Sequence, residues 1–220
     1  MTPSADDLPR FLRALRSAFD AATSRDPVRR ALVKRLFERL DRPDLGTAAP
    51  APARLPACRH FEAAVAAATG SGDGPDEGTD RPPDRAPPAT TAALARALAA
   101  LEPAFRWYRR VGAETHGPAF LAGHANAFVV GPGGIADPGG VSIGVSLMAP
   151  GLRYPDHHHA PEELYLVLSP GHWRRAGTDW FEPGSGGTVH NVPDVVHAMR
   201  SGAAPLLAIW CLLDGSRDPS

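Results

Sequence analysis

Cysteine is scarce in this chain. Only Cys58 and Cys211 occur in 220 residues, far apart and without metal-type spacing. That excludes a disulfide framework and a thiolate zinc site, and two distant cysteines in a reducing compartment read as free thiols. Long apolar runs are missing too. None approaches the roughly 20 residues that a membrane span needs. The N-terminal stretch MTPSADDLPR is polar and lacks the apolar core of a signal peptide. Neither sign of charge dominates, with 23 Lys and Arg against 24 Asp and Glu and a net charge of −1, so nothing favours nucleic acid or an anionic membrane as partner. There is no internal repeat and no basic segment of helix-turn-helix type. The expectation is a cytoplasmic protein without nucleic-acid or membrane partners.

What is present is enough apolar material for a core, 43% of residues, divided between two kinds of pattern. Leu8, Phe11, Leu12, Leu15 and Phe19 recur three and four apart, which predicts a helix over 6–22. Asp26-Pro27 reads as the N-cap and first position of a second helix, with the stripe Val28, Leu32, Val33, Leu36, Phe37 and Leu40. A third helix is expected across CRHFEAAVAAAT and a fourth across AALARALAALEPAFRW. That would place Trp107 and Tyr108 at the end of the fourth. Between them lies GSGDGPDEGTDRPPDRAPP, dense in Gly, Pro and Asp, which reads as a mobile loop over 70–90 because it buries too little to offset its ordering entropy.

Beyond residue 120 the pattern changes. AFVV, VSIGVSLMA, ELYLVL, GTVHNV and PLLAIWCLL are short, β-rich and separated by turns such as GPGG and DPGG. Such spacing suggests a small sandwich or barrel. The division predicted is a helical N-terminal region over 1–111 and a β domain over 112–220.

The chemistry concentrates in LRYPDHHHAPEELYLVLSP, residues 152–170. Strand side chains alternate faces. His157, His159, Glu163 and Tyr165 share odd parity, although a turn at Ala160-Pro161 interrupts the alternation. Two imidazoles and a carboxylate on one face suit a divalent first-row metal, with Zn, Fe, Mn, Co and Ni all compatible with these donors. A further histidine, His197, follows in NVPDVVHAM. Leu164, Leu166 and Leu168 would face the other way and need cover, from the N-terminal helices or from a second subunit in a homodimer. His158 has the wrong parity and reads as a surface residue. His190 reads as a packed or exposed strand histidine, and His116 and His124 have no partner spacing. Trp210, Trp107 and Tyr108 are candidates to line a pocket, while Arg153 reads as a solvated arginine.

These spacings resemble a known pattern. GLRYPDHHHAPEELYLVLSP is similar to the first cupin motif: Gly151, five residues, His157, one residue, His159, three residues, Glu163. FEPGSGGTVHNVPDVVHAM is similar to the second motif, ending on His197. Within that superfamily, Tyr154, His157, His159, Glu163 and Tyr165, with His197 thirty-four positions after Glu163, resemble the site of the cupin dimethylsulfoniopropionate lyases. The resemblance implies a mainly β cupin barrel with an α-helical N-terminal extension. It also implies cleavage of dimethylsulfoniopropionate to dimethyl sulfide and acrylate. The resemblance implies that His159, Glu163 and His197 bind metal, with Tyr165 near or on it; shared parity and cupin spacing add His157 to the expected ligands, for about one divalent ion per chain, and Tyr154 and Tyr165 are the expected catalytic residues. The acidic, proline-rich insertion and the extra histidines His158 and His190 depart from a minimal version of that pattern. Other cupin chemistries, such as an iron dioxygenase or a non-enzymatic small-molecule binder, use the same frame, because fold does not fix function.

Overall fold

The computed structural model describes residues 3–41, 51–71 and 87–213. Most of the segment read from sequence as a mobile loop, residues 72–86, lies outside them. Four helices come first: α1 (Asp7–Thr23), α2 (Pro27–Leu40), α3 (Phe61–Thr69) and α4 (Ala89–Leu101). The stripe on α1 buries Phe11, Leu15 and Phe19 completely, and α1 packs on α2 and α4. Asp26 caps α2 as its sequence predicts, its carboxylate accepting from the Arg29 N–H at 3.0 Å.

The fourth helix is shorter than its sequence pattern suggests. It ends at Leu101, and a short 3-10 turn over Glu102–Ala104 follows. The chain then runs extended through Phe105–Tyr108. Pro103 explains the stop, since proline cannot continue the hydrogen-bond ladder and restricts the residue before it. The extended stretch ties itself to its neighbours by backbone bonds from Trp107 to Ala53 and between Tyr108 and Asn126. A short helix, α5 (Gly117–Gly123), leads into the strands.

Eight strands follow: β1 (His124–Val130), β2 (Val141–Met148), β3 (Arg153–His157), β4 (Glu162–Val167), β5 (Gly171–Arg175), β6 (Thr188–Asn191), β7 (His197–Ser201) and β8 (Leu206–Leu213). They form a five-stranded sheet in the order β1-β2-β8-β4-β6 and a three-stranded sheet in the order β3-β7-β5, antiparallel throughout. The apolar runs of the sequence give the large sheet. The small sheet went unread because RYPDH, GHWRR and HAMRS carry charge on their outer face and only a few apolar residues each. The two sheets together are the double-stranded β-helix of the cupin fold.

Alternation divides the large sheet cleanly. Leu164, Leu166, Ile209, Cys211, Val145 and Leu147 face out and share one core with Phe11, Leu15, Leu36, Leu94 and Leu98 of the helices. So the helices of the same chain cover this face. Tyr165, Val167, Ala208, Trp210 and Leu212 face in and meet Tyr154, Trp173 and Met199 of the small sheet in a second core. The Trp210 indole has room because Gly144 lies opposite it on β2; a Cβ at Gly144 would overlap the indole ring. Among the described residues no helix is long and apolar enough to cross a membrane.

Burying one large apolar side chain is worth about 1.5–3 kcal/mol, and a whole domain is stable by only about 5–15 kcal/mol. A chain beginning near residue 112 uncovers Leu164, Leu166, Leu168, Ile209 and Leu213 together. It is expected to aggregate or to lose cooperative unfolding, as read by size-exclusion chromatography and urea denaturation. A monomer as stable as the full chain would show that the helices are a separate module.

Candidate metal centre and active site

Two sheets build the site between them. β4 carries Glu163 and Tyr165 on the inner face of the large sheet, where Tyr165 is registered between Trp210 of β8 and Val189 of β6. In the small sheet His157 of β3 lies directly opposite His197 of β7. His159 sits in the crossing between β3 and β4. The shared odd parity is therefore only part of the reason these side chains meet. β3 and β4 belong to different sheets, and the facing of the sheets brings the histidines onto the carboxylate. Tyr154 lies within β3 opposite Met199. The pairing slips between Tyr154 and His157. That irregularity lets an even-numbered and an odd-numbered residue face the same cavity.

The three histidines have ring nitrogens within 4.8 Å of one another. In each, Nδ1–H donates to a nearby backbone carbonyl: His157 to Pro155, His159 to Pro161 and His197 to Val195, all at 2.9 Å. A carbonyl oxygen only accepts, so the proton of each neutral ring must lie on Nδ1 and the lone pair on Nε2. Glu163 Oε2 lies 3.3 Å from His159 Nε2 and 3.2 Å from His197 Nε2. Asn191 Nδ2 also donates to this oxygen, at 2.9 Å. His197 Nε2 is buried and makes no hydrogen bond, despite its nearness to the carboxylate.

Glu163 is 3% exposed, and a carboxylate so buried costs several kcal/mol unless it is compensated. Lone pairs of neutral imidazoles compensate nothing; they repel it. A divalent cation would satisfy these acceptors at once. Two donors each about 2.0–2.1 Å from a tetrahedral metal stand about 3.4 Å apart, close to the two separations found. The residues present therefore fit a metal, and the hydrogen bonds from Nδ1 are the outer contacts by which metal-binding imidazoles are normally held.

Electrostatics follow from burial. It lowers the His157 pKa to about 3, with His197 beside it acting in the same direction, so this ring is neutral. Burial alone would lower His159 as well, but the Glu163 carboxylate outweighs it and the net shift is upward. Burial would likewise raise Glu163, but hydrogen bonding and positive charge from His159 and His197, which only their protonated rings can supply, hold it well below the usual carboxylate range. Both tyrosines are pushed the other way. Burial takes Tyr154 up to about 12, with the Arg110 cation pulling against it and Glu163 adding to it. Tyr165 is also raised well above the usual phenol value, first by burial and then by the Glu163 charge.

The same cavity holds residues that spacing did not single out. Arg110, Asn126 and Ser146 line it beside Tyr108 and Trp210. Its free space is about 50 Å³, a few water-sized positions. Asn126 Oδ1 accepts from Ser146 Oγ at 2.7 Å and from His124 Nε2 at 3.1 Å. His124 is not the bland residue its spacing suggested: it is 1% exposed, stacks on Phe120 and meets the Tyr154 ring edge-on. Its alternation with Asn126 on β1, both inward, was the available signal.

The remaining sequence candidates lie elsewhere. Trp107 packs against Phe61 and Phe105 and donates Nε1–H to Glu102 at 3.1 Å. His158 is exposed on the surface near Asp194. His190 faces outward to Glu162 at 2.8 Å, which also pairs with Arg35 of α2. Arg153 is exposed and pairs with Asp156. Among the described residues Cys58 and Cys211 are free and buried.

Comparison with known structures and families bears on this geometry. One match, at TM-score 0.70 and 24% identity over 96% of this chain and 95% of the other, is from the crystal structures of the dimethylsulfoniopropionate lyases RdDddP and RnDddQII. A second, at TM-score 0.67 and 24% identity over 96% of this chain and 94% of the other, is the dimethylsulfoniopropionate lyase DddQ from Ruegeria pomeroyi DSS-3. At that identity these likenesses establish the shared fold, helices and barrel together. Among curated proteins there is no match. The model of the dimethylsulfoniopropionate lyase family matches residues 28–208, most of the length and all the residues that line the cavity except Trp210 and Leu212, and the chain therefore belongs to that family.

Proposed function

We propose that this protein cleaves dimethylsulfoniopropionate, or a close analogue, to dimethyl sulfide and acrylate by a metal-dependent β-elimination. The observation that carries the reading is the convergence of three lone-pair-bearing Nε2 atoms and the Glu163 carboxylate in the cavity that also holds two buried phenols. His157, His159, Glu163 and His197 are the ligands we assign. Three imidazoles and one carboxylate leave Zn, Fe, Mn, Co and Ni all compatible. When bound, such an ion supplies Lewis-acid stabilisation of charge on a carboxylate.

The chain's own residues do the rest. A hydrogen next to a carboxylate is weakly acidic, so its removal needs a base positioned within hydrogen-bond reach. We assign that role to Tyr154. It is a buried phenol with the Arg110 guanidinium carbon 5.3 Å from its ring centroid, and a cation there favours the phenolate. Acting as the phenolate, the Tyr154 oxygen takes the proton and becomes the phenol, and the C–H electron pair becomes the new C=C bond. The carbon–sulfur bond breaks with its pair going to sulfur. A sulfonium leaves as a neutral thioether, so no general acid is required. The Trp210 indole, braced edge-on by Phe128 at 5.1 Å, offers the departing cationic group an aromatic face worth about 0.5–2 kcal/mol. Tyr165, next to Glu163 on β4, holds the floor of the cavity.

Two outcomes are expected. Purified protein carries about one divalent ion per chain, and a His159→Ala, Glu163→Ala double variant loses it while circular dichroism still reports a folded barrel. Elemental analysis showing undiminished metal in that variant would remove the ligand assignment. In a headspace assay for dimethyl sulfide, Tyr154→Phe lowers turnover by about 10²–10⁴-fold, the range for a positioned base, with metal content unchanged. If Tyr165→Phe alone produces that loss and Tyr154→Phe does not, the base is Tyr165. If the metal-loaded wild type releases neither dimethyl sulfide nor acrylate, the substrate assignment falls.

A further inference from the structure

Arg110 lines the cavity and forms no ion pair among the described residues. It lies just past the extended stretch that bonds through Tyr108 to Asn126 of β1, so the edge of the large sheet fixes its backbone. Its Nε–H donates to the Val111 carbonyl at 3.3 Å, next to it in the chain. Its Nη1 is buried and has no hydrogen-bond partner. Other arginines of the structure are matched: Arg35 by Glu162, Arg54 by Glu102, and Arg153 and Arg174 by Asp156. Arg110 forms no such ion pair among the described residues, although it shares its cavity with Glu163.

A guanidinium stays charged at any pH a protein survives. Leaving one of its N–H groups buried and unpaired forfeits its hydration with nothing in return, and native proteins rarely keep such a group without use. Its neighbours do not neutralise it. Tyr108, Asn126, Ser146 and Tyr154 are neutral, and Trp210 is apolar. The fork geometry of a guanidinium matches a carboxylate, which can take two parallel hydrogen bonds from it. A phosphate or sulfate group would use the same donors, but the small free volume favours a short, planar anion.

We propose that Arg110 is a carboxylate-binding residue of this cavity, selecting small mono-carboxylates by direct pairing from the wall that the metal-type ligands do not occupy. The identity of that carboxylate as the substrate's own rests on the lyase reading; the anion site does not. In that reading Arg110 is a specificity residue. It fixes which end of the substrate enters first and leaves the cationic end toward the aromatic side chains.

The test uses the metal-loaded full chain and two probes, propionate and its neutral isostere propionamide, titrated by calorimetry. The wild type is expected to bind propionate and to bind propionamide at least about tenfold more weakly. Arg110→Gln should weaken propionate binding by about 10–100-fold while metal content and the circular dichroism spectrum stay those of the wild type. Arg110→Lys, which keeps charge but loses the fork, should fall between them. Propionate affinity unchanged in Arg110→Gln overturns the proposal, as does a wild type that binds propionamide equally well or propionate not at all. The two readings fail separately. A wild type with Arg110-dependent propionate binding but no dimethyl sulfide release refutes the lyase reading alone. Turnover of dimethylsulfoniopropionate with KM unchanged in Arg110→Gln refutes the carboxylate site alone.

Discussion

The site rests on three short backbone contacts, the Nδ1–H bonds from His157, His159 and His197 to the carbonyls of Pro155, Pro161 and Val195. Each carbonyl is two residues away in sequence. Local chain geometry therefore fixes both the tautomer and the tilt of each ring before any ligand arrives. The consequence is electrostatic. Three Nε2 lone pairs and a buried carboxylate are aimed at one region with no proton between the neutral forms. Such an arrangement is costly in an empty protein and favourable around a cation, which is the signature expected of a preformed metal site rather than of a packed polar core. Asn191, fully buried, adds the outer contact that keeps Glu163 from swinging away.

Everything larger serves to bring those contacts together. The carboxylate comes from the large sheet and the His157–His197 pair from the small one, so the site exists only if the sheets face each other at the correct spacing. Spacing is set by the side chains between them, chiefly Tyr165, Trp173, Met199 and Trp210. The large sheet in turn keeps its inner face inward because its outer face is committed to the helices. A one-residue slip of β4 would send Glu163 and Tyr165 to the helical side and Leu164 and Leu166 into the cavity. The apolar cost of that slip protects the register of the strand that carries Glu163 and Tyr165. In this way the N-terminal helices act on the site without touching it.

Which parts were legible in the sequence follows from the same physics. Helices α1 and α2 announced themselves through stripes three and four apart and an Asp-Pro start. The strands of the large sheet did so because both their faces are buried and they read as apolar runs. The small sheet has one face in solvent, with Arg153, Arg174 and Arg200 around Trp180, and its strands are five residues each. Alternation over so few residues, broken by a bulge in β3, leaves little to detect. The histidines and Glu163 were visible as a motif because their separations are short. Arg110, Asn126, Ser146 and His124 were not, since each reaches the cavity from a different element and no local spacing relates them. Only the pairing of Tyr108 with Asn126 puts Arg110 next to Tyr154, and that pairing is a tertiary fact.

Read as a whole, the cavity has two chemically opposite walls. One, made of Nε2 atoms and Glu163, contains acceptors alone. On the other, Arg110 offers only donors. Asn126 belongs with it, because its carbonyl oxygen is already engaged by Ser146 and His124, which leaves its amide nitrogen to donate toward Tyr154. Tyr154 stands between them, in contact with His157 at a ring separation of 4.6 Å and with the Arg110 cation. Burial alone makes its phenol a poor base. Each positive charge added near it works in the opposite sense and draws the proton off more easily. The Tyr154 phenol thus stands where burial and the Glu163 charge hold its proton and the Arg110 guanidinium works to release it.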